Sequence, residues 1–300
     1  MTETANQLLS RVVPDCAWIP PRQRASSIPA YPFFPEVVRQ WRFFSGSVNR
    51  YINTANNIPG GQFPVFATET VSLSVEDAKY RLHYNVLVPV NALLGTQGAV
   101  FRVTCTGLLG TPDFVICTNN STIAKMPVEM KTRHNLNLRD HDLWEIYRHA
   151  DRAPIMETDP NFRFKKKILS QVFGEMACNG LHYGILSNYT DTYFLQRLET
   201  EPKNLYVSHV VHPNSANPTL RNISLLLMIK SVEDWVVYWK ILIHPMMIAL
   251  MMTMLMILIT ALTMIMLLLT MMILTMMILL TMIIVQRGRV PLCRSVAGRE

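Results

Sequence analysis

The chain has 300 residues, half of them apolar, and a formal net charge of +7. That is enough apolar material to bury a sizeable core, and five widely spaced cysteines without a C-x-x-C pair argue against a disulfide framework and for free thiols in a reducing compartment. Residues 1–240 carry 24 Lys and Arg against 20 Asp and Glu, a balance of +4 that permits a nucleic-acid partner without demanding one.

Composition divides the chain into parts. Residues 1–66 contain eight prolines and several Ser, Asn and Gly clusters, which predict a largely irregular arm with one short helix near Glu36 to Phe44. Arg22, Arg24, Arg39, Arg42 and Arg50, interleaved with aromatics there, are candidates for a nucleic-acid backbone or simply for a solvated arm. The N-terminus lacks an apolar run long enough for a secretory signal, so secretion is not expected.

Residues 67–235 carry the patterns of a folded domain. Ser74 to Leu94 reads as a helix with Ser74 as N-cap and Leu82, Val86, Val90 and Leu93 on one face, kinked or shortened by Pro89. Gln97 to Leu108 alternates as a strand. Thr111 to Lys131 (TPDFVICTNNSTIAKMPVEMK) then reads as two strands joined by a polar turn. In the second strand Glu129 and Lys131 point to one face and Met130 to the other. Asp113, at the start of the partner strand, lies within reach of them.

Two carboxylates around one point make a hard-oxygen site for Mg²⁺ or Mn²⁺, and a neighbouring lysine can orient water or offset charge on a phosphate. Asp113 and Glu129 are therefore the candidate metal ligands, with Glu76 in the first turn of the preceding helix as a further candidate. The plainer alternative is an ordinary set of opposite charges on paired strands.

Past the hairpin, His141, Glu145 and His149 recur at helical spacing with His134 close by. They lack the H-E-x-x-H arrangement of a zinc site and read as a solvated helix face. Phe162 to Gly180 is a helix burying Ile168, Val172, Phe173 and Met176, with Lys165, Lys166 and Lys167 in its first turn as candidate nucleic-acid contacts. Gln171 stands as a polar residue on its apolar face and needs a buried partner. A second hairpin (YGILSNYTDTYFLQR), a strand over Asn204 to Val211 and a helix over Pro218 to Ile229 complete an α/β domain with a mixed central sheet flanked by helices.

From Ile241 to Val285 the sequence has no Asp, Glu, Lys, Arg, Gly or aromatic residue and holds 13 of the 19 methionines. This low-complexity segment is expected to be an apolar helix able to enter a membrane, one overlong span fitting better than two because no polar loop interrupts it. A translated simple repeat is the competing origin. Residues 286–300 form a short basic tail.

Pro112-Asp113, Glu129-x-Lys131 on the next strand and a following helix with Gln171 resemble the PD-(D/E)XK, or restriction-endonuclease-like, nuclease superfamily over residues 70 to 230. More particularly, PDFVI…PVEMKT followed by SQVFGEMACNGLHYGILSNYTDTYFLQR is similar to the nuclease-like domain of fungal kinase-associated and Crinkler-type proteins. The resemblance implies Mg²⁺ or Mn²⁺ on Asp113 and Glu129, with Lys131 beside the attacking water, Gln171 supporting the site, and Glu76 or Asp77 as a first-helix acid. No kinase motif follows; the apolar tail stands where that portion would begin. The implied function is metal-dependent hydrolysis of phosphodiester bonds in DNA or RNA, membrane-tethered if the tail anchors, with the catalytic domain in cytosol or nucleus. The alternatives are a non-catalytic binding module on the same fold, and a membrane protein defined by its tail.

Overall fold

The computed structural model describes residues 1–15, 33–54, 58–68, 75–95, 99–103, 105, 108–118, 123–133, 135–136, 138, 141–150, 162–238 and 244–287. Ser74, Arg22, Arg24, Cys16, Cys293, His134, the middle of the hairpin turn and nearly all of the basic tail lie outside them. The chain divides into two units, residues 1–236 and 237–300.

A seven-stranded mixed sheet organises the first unit: β2 (Val37–Gln40), β4 (Ala99–Arg102), β5 (Phe114–Thr118), β6 (Ala124–Met130), β7 (Tyr183–Ser187), β8 (Thr192–Leu198) and β9 (Glu201–Val207), in the spatial order β2-β9-β8-β7-β6-β5-β4. The pairs β2–β9 and β6–β7 are parallel and the others antiparallel. Parallel pairing of β6 with β7 needs a crossover, and α5 (Leu143–His149) and α6 (Phe162–Cys178) supply it. A two-stranded ribbon of β1 (Thr2–Thr4) and β3 (Gln62–Pro64) stands apart from the sheet.

Alternation along the strands gives each face its own core. One face turns Phe114, Ile116, Met126, Val128, Ile185 and Phe194 against α1 (Ala5–Ser10), α2 (Phe44–Ile52), α4 (Val88–Leu94) and α7 (Leu220–Tyr238). The other turns Val38, Leu186, Leu195, Leu205 and Val207 against α5 and α6, whose Ile168, Leu169, Val172, Phe173 and Met176 are buried there. Residues two apart on a strand share a face, so the register that buries Val128 on the first face aims Glu129 and Lys131 at α6.

The N-terminal residues depart from the irregular arm expected of them. Glu36 to Phe44 holds strand β2 where a helix was expected, and the helix begins at Phe44. Val37-Val38 is a β-branched pair, and the edge of β9 offers backbone partners from Asn204 to Val207. Leu8, Leu9, Val13, Phe44 and Val48 belong to the first core, so the described residues around them are structural parts of the unit.

The predicted helix over Ser74 to Leu94 forms as α3 (Val75–Leu82), a π-helical turn at His83–Leu87 and α4. Pro89 explains the irregularity, because it has no N–H for the carbonyl of Asn85 four residues back. That carbonyl instead accepts Arg221 Nε at 2.7 Å, while Arg221 Nη1 donates to the Leu8 carbonyl at 3.0 Å. Arg221 is fully buried, and burial lowers its pKa to about 10, which leaves it charged at neutral pH. It ties α7, the kinked helix and the N-terminal segment together. Arg221→Met keeps most of the volume but leaves two buried carbonyls without that donor, so chemical denaturation should show a loss of about 2 kcal/mol.

Other boundaries shift. The strand expected over Gln97 to Leu108 spans only Ala99–Arg102, that over Asn204 to Val211 starts and ends earlier as β9, and the helix expected over Pro218 to Ile229 runs on to Tyr238. His141 precedes α5 rather than sharing its face, because Asp142 and Glu145 form a capping box that starts the helix at Leu143.

The second unit holds α8 (His244–Arg287), a continuous helix in which Leu250–Ile283, 34 residues with an 18-residue window of mean hydropathy 2.7, is long and apolar enough to cross a membrane. At about 1.5 Å per residue this stretch measures about 50 Å, against a hydrocarbon core of about 30 Å. Its six threonines, Thr253, Thr260, Thr263, Thr270, Thr275 and Thr281, each return the hydroxyl to a carbonyl three or four residues back. None of these hydroxyl donors is left unmet for an apolar surrounding to penalise.

A buried carboxylate, lysine and glutamine cluster as the candidate active site

Asp113 sits just before β5, and its Oδ2 accepts the backbone N–H of Met130 at 2.7 Å. This bond locks the acid against the end of β6, between the two residues whose side chains point to α6. The next strand completes the fixation: Lys131 N–H donates to the Ser187 carbonyl at 2.8 Å, continuing the β6–β7 ladder past Met130.

Glu129 and Lys131 meet α6 there. Lys131 Nζ donates to Glu129 Oε1 at 2.5 Å and to Gln171 Oε1 at 3.1 Å. Gln171 Nε2 in turn donates to Glu129 Oε1 at 2.9 Å and lies 3.4 Å from Glu175 Oε1. Gln171 thus has the partners that its place on an apolar face demanded, with its amide orienting both an acid and a base.

The sequence pattern did not single out two members. Glu175 lies one turn beyond Gln171, and the i, i+4 spacing that brings them to one face was the available signal. Lys79 on α3 donates to Asp113 Oδ1 at 2.5 Å. Glu76 lies on α3, but its side chain is outside the described residues.

The cluster is poor in water. The side chains of Glu129 and Lys131 are 6% and 12% exposed, against 24% for Asp113. Burial raises the Glu129 pKa and Asp113 adds to the rise, with the charge and hydrogen bond of Lys131 and the Gln171 amide opposing it. Burial also pushes Glu175 up to about 8, reinforced by the charge of Glu129. Glu129 Oε2 and Glu175 Oε2 are buried without a hydrogen-bond partner. An unmet buried carboxylate oxygen is costly, and a raised pKa with a specific charge neighbour is a mark of functional sites.

Among the described residues no group of three or more His, Cys, Asp or Glu is placed to hold a metal. The two unmet oxygens nevertheless fit a hard cation of the Mg²⁺ type, commonly held by one or two carboxylates with water and phosphate completing the shell. Of the two predicted ligands, Glu129 has such an oxygen, whereas both oxygens of Asp113 are engaged, by Lys79 and by the Met130 N–H. The carboxylates offering free oxygens in this cluster are Glu129 and Glu175.

The loop before Asp113 closes over this cluster. Gly110 has φ +110°, which favours glycine, and a Cβ there would press on Glu175 Cγ at 3.0 Å. Leu109 is pinned beside it, exchanging hydrogen bonds with the Asn179 side chain at 2.8 and 2.7 Å.

A groove of about 1220 Å³ lies elsewhere in the unit, along β2 and α5. Arg39, Arg42, Arg148 and Lys166 line it together with Trp144 and Tyr147, and its acid Glu36 is paired with Lys203. Of the three predicted lysines, Lys166 reaches this groove, with its ammonium 4.9 Å from the Tyr147 ring centre. Lys167 is exposed, and Lys165 is buried with its ammonium 5.6 Å from the Phe162 ring centre. Lys166 and Gln171 are five residues apart on α6, about 7–8 Å along its axis, so one helix serves groove and cluster.

Comparison of the chain with family models, with curated proteins and with solved structures found no match.

Proposed function

We propose that the first unit is a metal-dependent phosphodiesterase domain acting on DNA or RNA, in keeping with the PD-(D/E)XK resemblance of its motifs. The observation that carries this reading is the buried pair of unmet carboxylate oxygens on Glu129 and Glu175, beside a lysine that a glutamine holds in place. Bound Mg²⁺ or Mn²⁺ would supply Lewis-acid polarisation of the phosphate and a more acidic water. Lys131, already held by Gln171, donates toward the phosphoryl oxygen or orients the water, so its charge is in place before charge develops. Asp113 fixes the backbone between Glu129 and Lys131, and Lys79 offsets its charge. The groove, with four cations and five aromatic residues of which Phe34 is exposed, supports a nucleic-acid partner, because cations follow a phosphate backbone and exposed rings stack bases.

Cleavage of single- and double-stranded DNA and RNA, with Mg²⁺ or Mn²⁺ against chelator, tests the proposal. The protein used must begin at residue 1, since Leu8, Leu9 and Val38 are core residues. Equal cleavage by wild type and by Glu129→Gln would refute it. Metal binding without cleavage of any of the four substrates would instead favour a non-catalytic binding module, a reading consistent with the lysines that already neutralise Asp113 and Glu129.

We further propose that residues 241–285 anchor the protein in a membrane, with residues 1–236 on the cytosolic or nuclear side. The hydropathy of Leu250–Ile283 and the internal bonding of its threonines support this. Deleting residues 237–300 should move the protein from the membrane pellet to the soluble fraction; full-length protein in the soluble fraction would contradict anchoring.

A further inference from the structure

Outside the carboxylate cluster, two thiols approach one another, one on β5 and one in the segment after β4. Cys117 is the fourth residue of β5, with its side chain buried, and its Sγ lies 3.3 Å from Sγ of Cys105, which follows β4 and is partly exposed. Lys125, at the start of β6, is buried beside them, and its amine and the two sulfurs act electrostatically on one another. A disulfide needs about 2.05 Å between sulfurs, so closing this pair takes a movement of little more than about 1 Å.

We propose that Cys105 and Cys117 are a thiol–disulfide modification site that reacts with low-molecular-weight disulfides of the glutathione type, with Lys125 as the proton acceptor. The Cys105 thiol gives its proton to the Lys125 amine, and the thiolate attacks one sulfur of the small disulfide, releasing one small thiolate and forming a mixed disulfide. The released thiolate takes the proton from the Lys125 ammonium, which restores the amine; Cys117 gives its own proton to that amine, attacks Sγ of Cys105 and expels the second small thiolate, which takes up this second proton. Two protein thiols are oxidised by two electrons, and one small disulfide is reduced to two thiols.

The order follows from accessibility. Cys105 is the sulfur a solute can reach, whereas Cys117 is sealed in the sheet and its thiol is pushed up to about 12 by burial and by its neighbour. Burial draws Lys125 down to about 7, where a neutral amine is available at physiological pH. The chain between the two cysteines carries Gly110, packed on Glu175, and Asp113, bonded to Met130. The cross-link therefore closes a ring through the strand that presents the first acid of the cluster.

The test is equilibration of the full-length protein in detergent with oxidised and reduced glutathione, followed by peptide mass mapping. The expected result is a Cys105–Cys117 linked peptide whose yield rises with the oxidised fraction, with Cys178 remaining free, and in Cys117→Ser a glutathione adduct on Cys105. Absence of the linked peptide at the most oxidising ratio, or linkage through another cysteine, would overturn the proposal. Lys125→Met is expected to slow cross-linking at pH 7 about tenfold and to move the rate's pH dependence upward; an unchanged profile would overturn the role given to Lys125. The readout is a covalent bond, so its failure is distinct from a failure to cleave nucleic acid.

Discussion

Lys131→Ala and Glu129→Gln should each lower metal-dependent cleavage of nucleic acid by about 100-fold or more, the loss typical of removing a preorganised charge or a ligand from a water-poor site. The two failures should differ in kind. Glu129→Gln removes a carboxylate with a buried unmet oxygen, so the loss should be partly overcome by raising Mn²⁺. Lys131→Ala leaves the carboxylates but deletes the cation that opposes the upward push on the Glu129 pKa, so Glu129 should hold its proton to higher pH. Its residual activity should therefore rise toward alkaline pH more steeply than that of wild type. Steady-state rates from pH 6 to 9 at several Mn²⁺ concentrations separate the two patterns, and coincident profiles would contradict these roles.

Glu175→Gln is expected to stabilise the metal-free protein, by an amount that grows as pH rises from 4.5 to about 8. Folding raises the Glu175 pKa from 4.5 to about 8, chiefly by burial, so between those values the native state binds more protons than the unfolded chain. The contribution of Glu175 is thus most favourable below pH 4.5 and is lost as pH rises to about 8. A tenfold change in a proton-binding constant corresponds to about 1.4 kcal/mol, which makes the gain of the variant several kcal/mol at pH 8 and small at pH 4.5. Denaturant unfolding of residues 1–236 at pH 4.5, 6 and 8 measures it; a difference independent of pH would show that Glu175 is not buried as a strained acid. The same substitution should weaken metal binding, so that one residue costs stability in the empty protein and serves the occupied one.

The parts of this site legible in the sequence are those that local pattern encodes. Strand alternation put Glu129 and Lys131 on one face and Met130 on the other, and an isolated glutamine on an apolar helical face announced Gln171. Glu175 was not legible, because α6 has to be docked before it is clear that the turn beyond Gln171 also faces Glu129. Nor was Lys79, whose partner Asp113 lies 34 residues away across a helix and a strand.

The N-terminal region shows the same limit for the fold. Prolines and polar clusters dominate its composition, yet Val37–Gln40 becomes an edge strand because β9 supplies parallel backbone partners more than 160 residues later. Nothing near Arg221 in sequence shows its partner; Pro89, far back in the chain, leaves the Asn85 carbonyl that it satisfies. In both cases a long-range partner decides the conformation, and local propensity does not contain it.

Whether Glu129 and Glu175 together hold a cation is decided by titration calorimetry of Mn²⁺ into the full-length protein at pH 7, repeated in buffers of different ionisation enthalpy. Glu175 carries a proton at that pH, and a cation on the two carboxylates must displace it. The expected result is saturable binding with release of up to about one proton per metal in wild type, with both binding and release lost in the Glu129→Gln, Glu175→Gln double variant. Absence of saturable binding in wild type, or unchanged binding in the double variant, would contradict the metal site.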